Sequence, residues 1–212
     1  DELCSSMLKK DSYRVFYGIG KQPDDKTEPY NLIADYQICP NCGEKLKYNY
    51  LRYHHIGDVV CPKCGLHSPD KKYLATDIDR EKMTITIQEG DKKTVYPLIH
   101  TALFNIYNEV TVISALREIG LSAERVKELM GQIHIPDSRH NETTVNGVTV
   151  IQALSKGQSA VSSSRTFEYV ANEEGKKAIL LAMDDLEDRQ KSIEFSGWIY
   201  DLEYEQFNRD DV

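Results

Sequence analysis

The chain lacks any apolar run near the roughly 18–20 residues that a membrane-spanning helix needs. Its longest, Ala178 to Met183, has only a strand's length. It does not open on the charged and apolar regions of a secretory signal, so the cytoplasm is the expected compartment, with no transmembrane segment. Positive charge is scarce as well. Against 34 acids stand 26 lysines and arginines, a net charge of −8, which argues against a general nucleic-acid binder because phosphate contacts need a basic excess. Missing too is any Gly-rich loop ending in Gly-Lys-Ser/Thr, whose backbone amides and lysine would cradle nucleotide phosphates. There is no low-complexity segment, and no repeat beyond one pair of cysteine knuckles.

What is there suits a globular α/β protein. Hydrophobic content of 40% supports a core, and 212 residues suffice for one large domain or two small ones. The charge is uneven. Residues 39–72 carry six bases (Lys45, Lys47, Arg52, Lys63, Lys71, Lys72) against three acids, whereas residues 168–212 carry thirteen acids against five bases. Such asymmetry marks either a docking surface or ordinary solvated faces.

The organisation follows from periodicity. Tyr13 to Tyr17 reads as a strand, and residues 21–30 as a polar loop. Met83, Ile85 and Ile87 share one face of a strand that turns at Glu89-Gly90-Asp91 into Thr94-Val95-Tyr96. Phe104, Tyr107, Val110, Ile113, Leu116 and Ile119 predict a helix with Asn105 as its cap and Gly120 as its stop. A second helix is expected from Ser122 to Met130. After a linker at 135–140, Thr144 to Val150 reads as a hairpin on an Asn146-Gly147 turn. Ser162 to Ala171 reads as a helix, Ala178 to Met183 as a buried strand of a parallel sheet, and Trp198 to Phe207 as helical.

Four of the five cysteines form two near copies, Cys39-Pro40-Asn41-Cys42-Gly43 and Cys61-Pro62-Lys63-Cys64-Gly65, with 18 residues (43 to 60) between them. Two residues between thiolates let both reach one ion at about 2.3 Å, and two such knuckles close a tetrahedral shell with no open position. A structural zinc site is expected, with Cys39, Cys42, Cys61 and Cys64 as ligands. Thioredoxin-like chemistry uses one such motif at a helix start, not two in knuckles. His54, His55 and His67 are read as surface or packing residues, and Cys4 as a leftover thiol. Tyr48, Tyr50 and Tyr53 alternate as in a ribbon strand, where metal binding supplies much of the folding free energy.

The segment from Ile38 to Gly65 resembles the zinc ribbon inserted in the Mur-ligase-like subunit of lipid II isoglutaminyl synthase, the bacterial complex that amidates the peptidoglycan stem peptide. Further segments resemble the same family in order: Asp1-Glu2 with Tyr17-Gly18-Ile19, Phe104-Asn105-Ile106-Tyr107-Asn108 with Leu116 to Gly120, Ser138-Arg139, Lys156-Gly157-Gln158, Ala178 to Asp185, and Trp198 to Glu205. The resemblance implies the remainder of a Mur-ligase central domain over residues 1–134, with the ribbon inserted at about 36–70. A partial Rossmann-like C-terminal α/β domain would follow over 135–212.

It also implies an ATP- and Mg-dependent ligase that activates a carboxylate of a lipid-linked peptidoglycan precursor. Ammonia from a partner glutamine amidotransferase subunit would then form the amide. Asn105 and Asn108 would lie near the nucleotide and Arg139 would reach its phosphates. Bland roles stand beside these: a helix cap, a solvent-facing amide and a linker cation.

Two departures qualify the resemblance. The phosphate loop is missing, so the chain reads as a piece of a longer protein that is inactive alone. The family also lends an Asp, three residues before the Trp, to orient the catalytic His of its partner. Here that position is Phe195, which leaves Glu194 and Asp185 as the candidate acids, with Asp184 and Asp188 nearby. The competing readings are a zinc-ribbon binding module and a scaffold for a protein or nucleic-acid partner, each without its own catalysis.

Overall fold

The computed structural model describes residues 11–30, 34, 36–52, 56–134, 140–153, 160–182 and 193–212. The chain divides into two compact units. One comprises Asp1–Asp25 with Asp58–Pro136, the other Lys26–Gly57 with Asp137–Val212.

The first unit is built on a four-stranded sheet in the order β1 (Tyr17–Ile19), β4 (Tyr73–Asp79), β5 (Thr84–Glu89) and β6 (Lys92–Pro97). β1 and β4 are parallel, with Tyr17 opposite Tyr73, and the other pairs are antiparallel. The expected hairpin is present: Glu89 pairs with Lys92 around Gly90-Asp91, and Gly90 takes φ +58°. Met83 is a correction. It sits at φ +51° in the turn before β5, 38% exposed, and does not share the buried face of Ile85 and Ile87. Pairing of β4 with β5 begins only at Asp79 and Thr84, so Met83 precedes the ladder that imposes alternation.

Two helices follow, α1 (Leu103–Glu118) and α2 (Ala123–Met130). Ile106, Val110 and Ile113 of α1, with Val126 and Met130 of α2, join Ile19, Tyr73, Ala75, Ile85, Ile87, Tyr96 and Leu98 in one core. The stripe is rotated from the one expected. Val110 and Ile113 are buried as predicted, but Ile106 takes a core place while Phe104 (52% exposed) and Ile119 (73%) face outward. A strict three-residue repeat drifts around a helix of 3.6 residues per turn, so both of its ends leave the buried face. Asn105 is not the cap: α1 starts two residues earlier, and Ala102 at the cap position makes no side-chain hydrogen bond. Ser122 does cap α2, its Oγ accepting the Arg125 N–H at 3.2 Å. Gly120, at φ +98°, ends α1 as expected.

The ends of the core are pinned by polar groups. Glu118 accepts the Tyr73 hydroxyl at 2.7 Å and the Tyr13 hydroxyl at 3.0 Å, and pairs with Lys72 at 2.6 Å. Arg117 meets Glu89 at 2.9 Å. Thus the last turn of α1 is tied to the start of β4 and the end of β5.

In the second unit, β7 (His140–Val145) and β8 (Val148–Ala153) form the expected Asn146-Gly147 hairpin, both turn residues at positive φ. Helix α3 (Ala160–Asn172) buries Phe167 and Ala171. The Phe167 ring meets Phe207 and Tyr204 at 4.6 and 5.6 Å between centroids. Trp198 to Phe207 is helical, as 3-10 turns over Ile193–Asp201 and Tyr204–Phe207. The expected buried strand at 178–183 is not formed: Ala178 to Ala182 is exposed, with Leu180 at 92%, and joins no ladder. An apolar strand becomes buried only when neighbours pair with it and cover it. Among the described residues of this unit none does, so the parallel sheet of a Rossmann-like domain is absent there; Met183 lies outside the described residues.

One core group titrates far from its ordinary range. Glu109 on α1 is 5% exposed, and one of its carboxylate oxygens accepts the Ile99 N–H at 3.0 Å. Burial pushes its pKa up from 4.5 to about 7, against the opposing pull of that N–H. Well below pH 4.5 the carboxyl is neutral in folded and unfolded chain alike. As pH rises, the unfolded chain ionises first, so stability is lost between about pH 4.5 and 7. Glu109→Gln keeps the acceptor and removes the titration. We expect the variant to melt a few degrees higher at pH 8 and its Tm to vary less with pH. Parallel pH profiles for the two proteins would show that Glu109 is not the source.

Candidate metal centre

The cysteine segment folds as two copies of one turn joined by a two-stranded ribbon, β2 (Lys47–Arg52) and β3 (Ile56–Val60). In the first knuckle the Cys39 N–H donates to the Glu44 carbonyl at 2.8 Å, and the Gly43 N–H to the Cys39 carbonyl at 2.9 Å. In the second, Cys61 donates to Leu66 at 2.6 Å and Gly65 to Cys61 at 3.1 Å. Bridges between Ile38 and Lys45 and between Val60 and His67 close the two turns at the same offset. Gly43 and Gly65 take φ +72° and +74°, where a side chain is strained, which accounts for glycine after each pair.

These turns bring the sulfurs of Cys39, Cys42, Cys61 and Cys64 within 4.8 Å of one another. Metal–sulfur bonds of about 2.3 Å in a tetrahedron set sulfurs about 3.8 Å apart, so the cluster needs at most a small contraction to hold one ion. Among the described residues no other group of three or more His, Cys, Asp or Glu side chains gathers in this way. His67 is not in the cluster; its Nδ1 lies 2.8 Å from the Ser68 carbonyl. His54 and His55 lie outside the described residues.

Apolar packing supports the ribbon at its middle. Tyr48, Tyr50, Leu51 and Val59 are buried. The Tyr48 hydroxyl donates to the Tyr36 carbonyl, and burial pushes its pKa up to about 12. The Arg52 guanidinium lies 5.0 Å from the Tyr50 ring centroid. Tyr53, expected to continue the alternation, lies outside the described residues. Gly57 matters for a different reason from the knuckle glycines: a Cβ there would collide with the Tyr50 carbonyl oxygen and sit 2.9 Å from the Leu51 Cα.

The other expected site residues are only partly brought together. Asn105 and Asn108 lie three residues apart in the first turns of α1, so they share a side of the helix. Asn105 is half-buried and Asn108 exposed. Arg139, Asp184, Asp185 and Asp188 lie outside the described residues. Glu194 belongs to the 3-10 segment Ile193–Asp201.

No family model matches the chain. It aligns at 24% identity over 205 residues, 93% of its length, with the MurT subunit of lipid II isoglutaminyl synthase (glutamine-hydrolyzing) from Staphylococcus aureus, covering 43% of that protein. The corresponding subunit of Streptococcus pneumoniae is 29% identical over 96 residues, 43% of this chain and 20% of that protein. Among solved structures, a pseudomurein peptide ligase type C from Methanothermus fervidus matches with a TM-score of 0.55 at 20% identity, over 71% of this chain and 29% of that one. The fold is therefore shared with a Mur-ligase-like peptide ligase, and the chain spans less than half the length of the curated relatives it matches.

The close approach at Gly57 yields a test of the ribbon. Gly57→Ala has to part β2 from β3 to seat its methyl group, at a cost of roughly 1–3 kcal/mol. We expect a lower Tm and faster loss of bound metal to a chelator. An unaltered Tm would mean that the backbones do not approach this closely.

Proposed function

From the chain's homology to the MurT subunit of lipid II isoglutaminyl synthase, we propose that it is part of an ATP-dependent amide ligase subunit. The complete subunit amidates a carboxylate of a lipid-linked peptidoglycan precursor, using ammonia that a partner glutamine amidotransferase releases from glutamine. The observation that carries this reading is an alignment running through 93% of the chain, together with a cysteine cluster at the place where the ribbon resemblance lies.

Within that reading the residues divide their work. Zinc, held by Cys39, Cys42, Cys61 and Cys64, is structural, because four protein thiolates fill its shell and leave no position for water or substrate. ATP with Mg supplies the activation of the carboxylate. Asn105 and Asn108 face the nucleotide from the start of α1, as two amides that can both donate and accept hydrogen bonds. Arg139 offers a planar, permanently charged group to phosphate oxygens. Glu194, with Asp185 as the second candidate, orients the histidine of the partner's Cys–His pair. This chain alone lacks the phosphate-cradling loop and depends on the rest of its subunit for activity.

Two measurements test the proposal. Elemental analysis of the purified chain should give one zinc per chain, and Cys61→Ser should lose most of it and loosen residues 39–64, since the metal is linked to folding of the ribbon. Full occupancy in that variant would mean a different ligand set. In the full-length subunit assembled with its amidotransferase, Asn108→Ala should raise the KM for ATP about tenfold, the scale of one lost hydrogen bond to a ligand. Glu194→Gln should depress glutaminase activity with zinc content unchanged. If the assembled pair fails to consume ATP and glutamine together, the ligase reading is wrong.

A further inference from the structure

We propose that Cys42 and Cys64 are an oxidation site, at which a peroxide joins the two knuckles by a disulfide and releases the metal. The inference rests on the zinc reading above and adds a reaction to it.

The two knuckles match in backbone hydrogen bonding, and they also match in which cysteine is covered. The first of each pair is buried, Cys39 at 2% and Cys61 at 1% exposure. Each is also fixed through its backbone, donating its N–H to the far side of its own turn and accepting the N–H of the following glycine. The second of each pair is more open, Cys42 half-buried and Cys64 exposed. A small oxidant therefore meets Cys64 first and Cys42 next, and reaches Cys39 and Cys61 last.

Distance does not select the partner, because all four sulfurs lie within 4.8 Å of one another. Solvent access and backbone anchoring do. A disulfide needs its sulfurs at about 2.05 Å, so one cysteine must move toward the other. Cys42 and Cys64 sit beside Gly43 and Gly65, where an added Cβ would have no atom within 4 Å. Cys39 and Cys61 are buried and anchored where the bridges at Lys45 and His67 close their turns, so the more exposed pair, Cys42 and Cys64, is the one an oxidant reaches.

The chemistry balances in two steps. The Cys64 thiolate attacks one oxygen of the peroxide. An S–O bond forms, the O–O bond breaks, hydroxide leaves, and the sulfur, oxidised by two electrons, becomes a sulfenic acid. The Cys42 thiolate then attacks that sulfur. The S–S bond forms, the S–O bond breaks, and the second hydroxide leaves, each hydroxide taking a proton from solvent to become water. Two of the four ligands are consumed, and the remaining pair no longer closes a shell around the ion.

The test uses the zinc-loaded chain and hydrogen peroxide, with released zinc read by a chromophoric indicator and cysteines mapped by alkylation and peptide mass spectrometry. Expected are one zinc released per disulfide formed, a linked Cys42–Cys64 peptide, Cys39 and Cys61 still alkylatable, and recovery of the metal site on adding a thiol reductant and zinc. A bond within either knuckle, a bond to Cys4, sulfinic acid at Cys64 without a disulfide, or zinc retained through excess peroxide would each overturn the proposal. A chain that carries no zinc when purified under reducing conditions overturns the metal reading itself, and this site with it.

Discussion

Four sulfurs drawn to within a few ångströms of one another are the constraint on which the ribbon depends. As thiolates they repel strongly, and a divalent cation, which the cluster could hold, would convert that repulsion into a cross-link between two turns. The backbone prepares for it: each knuckle closes its own hydrogen bonds and relies on a positive-φ glycine, so the cysteines face one point at little further cost in order. The buried tyrosines and Leu51 add apolar packing farther along the strands, but they lie away from the tips.

The sheet and its helices depend on a different force. Ile85 and Ile87 on one face of the central hairpin, and Ile106, Val110 and Ile113 on α1, shed their apolar surface together. This packing sets the rotation of α1, and the rotation decides what its first turns present outward. Asn108 is exposed because Ile106 and Val110 are buried on either side of it along the chain. Two polar side chains share that buried face: Ser114 donates to the Val110 carbonyl at 2.6 Å, whereas Glu109, with its backbone partner at Ile99, keeps a second oxygen with no hydrogen-bond partner among the described residues. A carboxyl in that setting is cheaper to keep neutral than charged.

The parts of the fold that were legible in the sequence are those set by local chemistry. Cysteine spacing, the Asn146-Gly147 turn, the Gly90 turn and the helix beginning at Ser122 are each set within a few residues. What escaped needed a partner far along the chain. β4 went unread because its alternation breaks at the irregularity between Ala75 and Asp77, and because its core contribution at Ala75 is too small to mark a strand. Ala178 to Ala182 reads as a buried strand by composition, yet burial is conferred by neighbours that composition does not supply. The site divides the same way. The sulfurs are placed by their own turns, whereas the amides on α1 take their positions from where the helix begins, two residues before the cap that the pattern suggested.

The parallel pairing of β1 with β4 has a kinetic consequence. Tyr17 must find Tyr73 across 56 residues (73 minus 17), and the cysteine ribbon occupies the middle of that span. A ribbon closed by a metal ion on the four cysteines would bypass the chain from Cys39 to Cys64 and leave about 30 residues of effective loop. Closing the shorter loop costs about 0.5 kcal/mol less entropy. The larger effect is on order of events: a ribbon assembled early is a compact knot that the sheet closes around, whereas an open one is a long slack tether carrying reactive thiols while β1 searches for its neighbour.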